Sequence, residues 1–532
     1  MSVPTRSRTT TGGNTPQASP AVPDTLHDTI VETVRAVIGV MSADIPPDVV
    51  LTAIGVTSLQ LGQICARLGD RLGRPVPLSQ MFTTRTVRSL AAWLARTGAE
   101  APMRQSPAEP DAAMTPLTGM PAFMFMKHVF KPDDLSLHCV RSWRIEGRPD
   151  RRALRAAVAS IHERHAYLSA VYKFKQVPYA EPSGLPAPRL IEFLVDNEEQ
   201  SHELLAVELA RPFRLVQGDV WRAVYVAVRE VPVTLFGFAV HHVAFDGGSA
   251  GLMAGDLARA YNAARKGEPL KLPPTPTLPQ VAAARAEHLP YVDLPGQRDY
   301  WTKALDGVRM LTFPGGAESP KGTPSRMFDR PLPEGTVVGV RRLASAHQVS
   351  PFSVYLSAYA QAMAELTGEH DFGVGTVVNR RSNSTLGGTV GCVINIVCLR
   401  PHPDPRISPA DAIDRTARAV TEAFAAQDVP VPEVVELHRN PAAGDRNALW
   451  QTMFLLQDNN PGELPLDGLT TRFFRPHYPG VASEVYAEVW PAADGSARLV
   501  VAYHPDRVSG EFCSRLADAF AARITTYLRG SS

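Results

Sequence analysis

The strongest hydrophobic pattern lies near the middle of the chain. Residues 233–240 form an apolar run that predicts a buried β-strand. The run ends at His241 and His242, and Asp246 with the two glycines after it predicts a tight turn. The residues after Ser249 have a helical pattern. The pattern therefore predicts a strand that carries an imidazole to its end, followed by a turn and a helix.

A second pattern, nearer the amino terminus, predicts a small helical unit. Apolar side chains fall on one helical face at Leu26, Ile30, Val31, Val34, Val37 and Ile38, and on one face of a later helix at Leu59, Leu61, Ile64, Cys65, Leu68 and Leu72. Ser58 lies at the start of this later helix. Serine at that place most often acts as a helix cap, so position alone assigns it no chemistry.

Composition divides the chain around these patterns. Residues 1–24 are rich in Ser, Thr, Pro and Gly, and they predict a disordered tail because they have little apolar surface to bury. Residues 98–115 contain several prolines and predict a semi-flexible linker. The helical unit therefore spans residues 25–97, and more than four hundred residues follow the linker.

The whole-chain composition excludes several classes of protein. A chain of 532 residues with 44% hydrophobic and 20% charged residues is typical of a multidomain globular protein. It has neither a signal peptide pattern nor an apolar run of the ~18 residues that a membrane span needs, so we expect a cytoplasmic protein. The five cysteines are scattered and predict neither disulfides nor a zinc site. A net charge of +1 gives no argument for a nucleic-acid partner.

Residues 241–247 read His-His-x-x-x-Asp-Gly, and this string resembles the motif of the condensation domains of nonribosomal peptide synthetases. The resemblance implies a chloramphenicol acetyltransferase-like fold, in which two lobes form a V with the motif at their seam and a substrate tunnel between them. We expect the lobes to span residues 116–295 and 296–532. Epimerisation domains and wax ester synthase-like acyltransferases resemble the same string, so the rest of the chain must support the assignment.

Further strings agree with the condensation family in order and spacing. They are Arg-His-Ala-Tyr-Leu at 164–168, Arg-Pro-Phe-Arg-Leu at 211–215, Tyr-Trp at 300–301, and the strand-like segments 371–380 and 390–400. The last two resemble Gly-Thr-Pro-x-x-x-Arg and Gly-x-Phe-Val-Asn-Thr-x-x-x-Arg. The resemblance covers essentially everything after the linker.

The amino-terminal unit resembles the carrier domains of peptide and polyketide synthetases. Residues 54–60, Ile-Gly-Val-Thr-Ser-Leu-Gln, carry the likeness, which implies that Ser58 bears a covalent 4'-phosphopantetheine. A phosphodiester at a helix amino terminus benefits from the free N–H groups there. Thr57 stands where these domains most often have aspartate. The predicted fold is therefore α+β and multidomain, with a small four-helix carrier bundle followed by a two-lobed condensation domain.

The resemblance also implies roles for the residues of the motif. His242 is either a general base for an attacking amine or a positioning group for the intermediate, and the sequence does not choose between these roles. His241 is expected to turn into the fold. Gly247 is expected to contribute a backbone N–H and allow close approach of substrate.

Further residues receive structural or lining roles. Asp246 is expected to form an ion pair across the seam with Arg380, which matches the family's arginine by position. A buried pair of this kind is strongly destabilised when one partner is removed. Asn395 and Ser249 are expected to line the tunnel.

The implied reaction joins a phosphopantetheine-bound acyl or peptidyl donor to an amine, forming an amide during antibiotic or siderophore biosynthesis. The acceptor must come from outside the chain, and a separate adenylation enzyme and a phosphopantetheinyl transferase must act on the carrier. We expect a monomer that works with other synthetase subunits and their carrier domains.

Alternatives are an ester-forming condensation, epimerisation of the carrier-bound residue, and a non-catalytic platform that recruits tailoring enzymes. Retention of the histidine motif argues against the platform, because such domains usually lose part of it. The strings around Arg380 and Asn395 look like condensation rather than epimerisation sequences.

Overall fold

A computed structural model describes residues 24–39, 45–97, 114–458, 463–475, 480–492 and 494–529. The predicted tail and linker fall almost entirely on residues 1–23 and 98–113, which lie outside the described residues. Within the described ranges, no helix combines the length and the apolar character needed to cross a bilayer.

Over residues 24–39 and 45–97, the amino-terminal unit has four α-helices: α1 (Asp24–Ile38), α2 (Ser58–Leu72), α3 (Leu78–Thr84) and α4 (Val87–Thr97). A short 3-10 turn, Leu51–Ile54, precedes α2. The apolar faces predicted from the sequence meet in a core of their own, which includes Ile30, Val34, Leu61, Ile64, Leu68, Leu90 and Leu94. The prediction of a four-helix bundle is confirmed.

The first lobe follows residue 114. Its helices are α5 (Met120–Phe130), α6 (Arg151–Arg164), α7 (Glu198–Leu209), α8 (Gly247–Lys266), α9 (Leu278–Ala286) and α10 (Leu294–Ala304). Its strands are β1 (Thr115–Pro116), β2 (His138–Glu146), β3 (Ala170–Phe174), β4 (Pro178–Pro182), β5 (Ile191–Val195), β6 (Trp221–Val228) and β7 (Val233–His241).

The rest of the chain forms the second lobe. Its helices are α11 (Thr336–Ala346), α12 (Pro351–Thr367), α13 (Ser384–Gly387), α14 (Pro409–Ala425), α15 (Val431–Leu437) and α16 (Gly510–Arg529). Its strands are β8 (Arg326–Pro331), β9 (Val374–Asn379), β10 (Ile394–Leu399), β11 (Thr452–Leu456), β12 (Thr470–Phe474), β13 (Val485–Pro491) and β14 (Ala497–Tyr503).

The first lobe is built on a five-stranded sheet of order β12-β2-β7-β6-β5. Strand β7 is buried along its whole length, as its apolar sequence predicts, and it pairs antiparallel with both β2 and β6. Strand β12 comes from the carboxyl-terminal half of the chain and pairs with β2, with Phe473 opposite Trp143. This crossing strand joins the two lobes.

The second lobe is built on a six-stranded sheet of order β10-β9-β11-β13-β14-β8. The first lobe also contains a three-stranded sheet of order β1-β4-β3. Strands β9 and β10 are antiparallel, with Asn379 opposite Ile394. The connection between these two strands, residues 380–393, reaches the end of β7. One continuous hydrophobic core runs through both lobes, so the predicted α+β, two-lobed architecture is confirmed.

Candidate active site

His241 is the last residue of strand β7 and His242 begins the 3-10 turn that follows it, and the two side chains have different surroundings. His241 is 1% exposed, and its Nδ1 accepts a hydrogen bond from the Val243 N–H at 3.1 Å. The His128 ring packs edge-on against it with ring centroids 4.9 Å apart. Burial, followed by the neighbouring His128 and His138, holds the pKa of His241 well below its ordinary value. His241 is therefore a neutral residue of the fold interior.

His242 lines a cavity of about 1090 Å³ between the lobes. Burial lowers its pKa, but the neighbouring Cys392 side chain, the backbone and the Asp246 carboxylate outweigh burial, so the pKa of His242 is raised above its ordinary value. Cys392 itself is fully buried. The imidazole is thus a stronger base than a free imidazole, and it lines the cavity.

Asp246, four residues after His242, is fully buried, and both of its carboxylate oxygens have hydrogen-bond partners. Its Oδ1 accepts from the Ser249 N–H at 2.8 Å and from Arg381 Nη2 at 2.7 Å, and its Oδ2 accepts from the Val393 N–H at 2.6 Å. Burial raises the pKa of Asp246, but Arg381 and these hydrogen bonds together lower it by more than burial raises it. The pKa of Asp246 therefore lies below its ordinary value. The carboxylate is a charged anchor, and it also caps the amino terminus of α8.

The predicted ion pair between Asp246 and Arg380 is wrong by one residue, because the partner is Arg381. Arg380 instead lies 2.9 Å from Asp428 Oδ1 and 2.7 Å from His288 Nε2. Neighbouring residues of an extended segment point to opposite sides, and β9 leaves its sheet at Asn379. Position along the chain therefore could not decide which of two adjacent arginines turns toward the seam.

The two glycines after Asp246 serve different purposes. A Cβ at Gly248 would lie 2.5 Å from Nε of Arg381, so this glycine makes room for the ion-pair partner. A Cβ at Gly247 would meet no atom within 4 Å, and Gly247 lines the large cavity. Gly247 therefore leaves open space next to His242, whereas Gly248 belongs to the anchor.

Ser249 and Asn395 do not line the cavity, and the expectation that they would is wrong. The Ser249 hydroxyl lies 2.8 Å from Asp246 Oδ1, and it accepts from the Gly391 N–H at 3.0 Å. Asn395 is 3% exposed and donates to the carbonyl of Val429 at 2.8 Å. Both side chains hold backbone segments at the seam, which is how short polar side chains in buried surroundings are usually satisfied.

The carrier unit presents Ser58 as the first residue of α2. Thr57 is the N-cap: its hydroxyl accepts from the Gln60 N–H at 3.2 Å, and the Gln60 side chain accepts from the Thr57 N–H at 2.9 Å. This reciprocal capping box fixes the start of the helix. Residue 58 therefore stands where a phosphodiester meets the positive end of a helix dipole, so the local structure fits a phosphopantetheine attachment site.

A second cavity, of about 140 Å³, lies between the carrier and the second lobe. The carrier residues that line it include Val56, Thr57 and Leu61, which lie within three positions of residue 58. Five residues line both this cavity and the large one: Val377, Asn379, Leu455, Leu456 and Asp458. The space beside the start of α2 therefore adjoins the space that contains His242.

Comparisons with known proteins agree with this arrangement. A family model described as "Condensation domain" matches residues 113–521, and one described as "Phosphopantetheine attachment site" matches residues 28–94. The nonribosomal peptide synthetase agiA of Aspergillus flavus is 29% identical over 62% of this chain, but the chain spans only 4% of that relative's length.

Solved structures share the two-lobed fold. The X-domain from teicoplanin biosynthesis superposes with a TM-score of 0.70 at 19% identity, covering 80% of this chain and 97% of that one. The first condensation domain of the CDA synthetase gives 0.68 at 17% identity, covering 79% and 97%. Fold and site together define an acyltransferase-like protein with an attached carrier. The chain belongs to the condensation-domain family of nonribosomal peptide synthetases, with a phosphopantetheine carrier domain before the condensation domain.

Three residues of the site were missed by the sequence reasoning. Arg381 was visible as the second of two adjacent arginines, and Gly248 as the second of two glycines. Cys392 lies inside a recognised string but at a place that the string leaves free. Only contacts across the seam reveal what these three residues do.

Proposed function

We propose that this chain forms an amide bond between an acyl or peptidyl donor, held as a thioester on the phosphopantetheine of Ser58, and an amine acceptor. The observation that supports this most directly is the shared wall of the two cavities. One cavity contains the imidazole of His242, and the other adjoins the start of α2. Phosphopantetheine, when attached, supplies the thioester, and the residues of this chain supply the rest.

In the proposed reaction the amine nitrogen attacks the thioester carbonyl carbon. A C–N bond forms, the C–S bond breaks, and the sulfur leaves and takes up a proton. The amine must lose a proton, and we assign its acceptance to His242. The raised pKa of this imidazole supports the assignment, because a stronger base accepts a proton more readily near neutral pH.

Asp246 and Arg381 act as positioning residues in this proposal. Their buried ion pair fixes the loop that follows His242, and Val393 and Ser249 complete the clamp. Gly247 leaves room for the reacting groups in the cavity. The side chains of Asp246, Arg381 and Ser249 do not need to exchange a proton with substrate.

The partners are part of the proposal. Carrier and condensation domains imply contact with other synthetase modules. We propose that a separate adenylation enzyme charges Ser58 after a phosphopantetheinyl transferase modifies it, and that the acceptor arrives on another subunit's carrier or as a free amine. We retain the cytoplasm as the predicted location and a monomer as the predicted state.

The proposal is tested by intact-protein mass spectrometry of the acylated chain mixed with candidate amines. The wild-type protein should lose the acyl mass from its carrier region and release the amide, and His242→Ala should lower the single-turnover rate about 10²-fold or more. Equal rates in the two proteins would contradict a role for His242.

The same experiment separates the other classes of function. An epimerase would leave the mass of the acylated carrier unchanged while altering the stereochemistry of the released acyl group. A non-catalytic platform would leave both mass and stereochemistry unchanged in the wild-type protein and in His242→Ala.

A further inference from the structure

The carrier contacts the second lobe along one side of α2 and α3. Arg85 Nη2 donates to the carbonyl of Gln348 at 3.1 Å, and the Ser384 hydroxyl lies 3.3 Å from Asp70 Oδ1. The rings of Phe82 and Phe424 meet edge-on, with centroids 5.0 Å apart. Polar contacts therefore surround an aromatic contact, which is the usual anatomy of a specific protein interface.

Gly62 of α2 packs closely against the second lobe in this interface. It lies in the middle of α2, where glycine is the least favourable residue after proline for helix stability. A Cβ built on it would lie 2.6 Å from the carbonyl oxygen of Arg381 and 3.9 Å from Nδ2 of Asn379. The three nearest atoms that it would approach all belong to the second lobe, so the contact that requires glycine here is with the second lobe.

The backbone that faces Gly62 cannot move away easily. The Arg381 N–H donates to Asn379 Oδ1 at 3.0 Å, and its guanidinium donates to the carbonyls of Leu386 and Thr389 at 2.7 and 2.6 Å. The same guanidinium holds Asp246 at 2.7 Å. The turn is thus fixed from within the lobe, and a side chain at position 62 would have to displace the carrier instead.

We infer that the condensation domain docks its carrier through a steric fit in which the bare backbone of Gly62 packs on the carbonyl of Arg381. A carrier with a side chain at the position equivalent to Gly62, four residues after Ser58, could not bind in this docked arrangement. The inference rests on the proposed function for its purpose, since the docked carrier sets Ser58 beside the cavity that adjoins His242. The docked arrangement itself can be measured without any reaction.

The test uses a crosslink in the 532-residue chain without phosphopantetheine. Asp70→Cys with Ser384→Cys places two exposed thiols across the interface, and four of the five native cysteines are buried while Cys139 is half-buried. A short bismaleimide should join the introduced pair rapidly, within one molecule. Adding Gly62→Leu should slow the crosslink about tenfold or more, because overpacking a rigid contact is unfavourable.

Gln63→Leu is the matched control, since residue 63 is the exposed neighbour on α2 and the substitution places the same leucine side chain on the helix, away from the interface contact of Gly62. It should crosslink like the parent pair. Enzymatic phosphopantetheinylation of each variant, read by mass, verifies that the carrier is folded. Failure of the parent pair to crosslink, or equal crosslinking of the Gly62→Leu and Gln63→Leu proteins, would overturn the inference.

A second measurement connects docking with transfer. Acyl transfer to an amine from Ser58 should fall about tenfold in Gly62→Leu, whereas transfer from a soluble pantetheine thioester should stay at the wild-type rate. Unchanged transfer from Ser58 would contradict the docking inference. If the wild-type protein transferred the acyl group from neither donor, the proposed function would be contradicted. The crosslinking result would still show whether the carrier docks through Gly62.

Discussion

The guanidinium of Arg381 lies 2.7 Å from the carboxylate of Asp246, and both side chains are almost fully buried at the seam of the two lobes. The two residues are 135 positions apart in the chain and come from different lobes. This ion pair therefore ties the loop after His242 to the turn after β9, and the turn faces the carrier on its other side.

The ion pair predicts an energetic coupling that identifies the correct arginine. Asp246→Ala should destabilise the condensation domain by about 3–5 kcal/mol, because it leaves a buried charge unpaired. In a double-mutant cycle followed by urea unfolding, Asp246→Ala and Arg381→Ala should show a coupling free energy of about 0.5–3 kcal/mol.

The control cycle pairs Asp246→Ala with Arg380→Ala. Arg380 is bonded to Asp428 instead, so its effect should add to that of Asp246→Ala within about 0.5 kcal/mol. Coupling to Arg380 and additivity with Arg381 would contradict the structure.

The adjacent glycines predict opposite outcomes for the same substitution. Gly248→Ala should lower the denaturation midpoint of the condensation domain, because its Cβ would enter the space of Arg381 Nε. Gly247→Ala should fold like the wild-type protein, because its Cβ meets open space, and it should reduce the rate of amide formation. Thermal unfolding of the two variants side by side checks this, and equal loss of stability would refute the assigned roles.

Cys392 predicts a shift in pH dependence. The pKa of His242 is raised with the Cys392 side chain as its largest favourable contributor, so the unprotonated base becomes available only as the pH rises through a value above 6.5. Cys392→Ala removes this contribution, so the pKa of His242 should fall and the rising limb of the single-turnover rate should move to lower pH. The same amine must be used for both proteins, so that its own titration cancels. A limb that stays in place would show that Cys392 does not tune the base.

Thr57 predicts a stability effect confined to the carrier. Thr57→Ala removes the cap of α2 and should destabilise the carrier by about 1 kcal/mol, whereas Thr57→Asp retains a capping oxygen and should restore most of that loss. Thermal unfolding followed by circular dichroism measures the change. Comparable stability of all three proteins would mean that the hydroxyl does not cap the helix in solution.

The sequence predicted the fold well because its strongest signals are local. The apolar run of β7, which the structure places at Val233–His241, and the two amphipathic faces around Ser58 each follow from one short stretch of chain. The two-lobed architecture followed from resemblance, whereas the crossing of β12 into the first lobe's sheet was not predicted. That pairing joins residues more than three hundred positions apart, and no local pattern encodes it.

The site was predicted only as far as its motif reaches. The motif predicted His242 and Asp246 as site residues. The ion-pair partner of Asp246, however, depends on the directions in which the side chains of Arg380 and Arg381 point after the end of β9. Asn395 and Ser249 were expected to line the tunnel. In the structure Ser249 accepts a hydrogen bond from the backbone of Gly391 across the seam, and Asn395 donates to the backbone of Val429 within the second lobe, because buried backbone groups need partners that a linear sequence does not reveal.

The central claim is that an arm attached to Ser58 brings its end to His242 within one molecule. A phosphopantetheine analogue that ends in a haloacetamide can be loaded on Ser58 of a Cys139→Ala protein, since Cys139 also lines the cavity and would compete for the electrophile. Peptide mapping should find a covalent link between the peptides that contain Ser58 and His242, formed at a rate independent of protein concentration and absent in His242→Ala. No link to His242, or a link that forms only between molecules, would contradict the account.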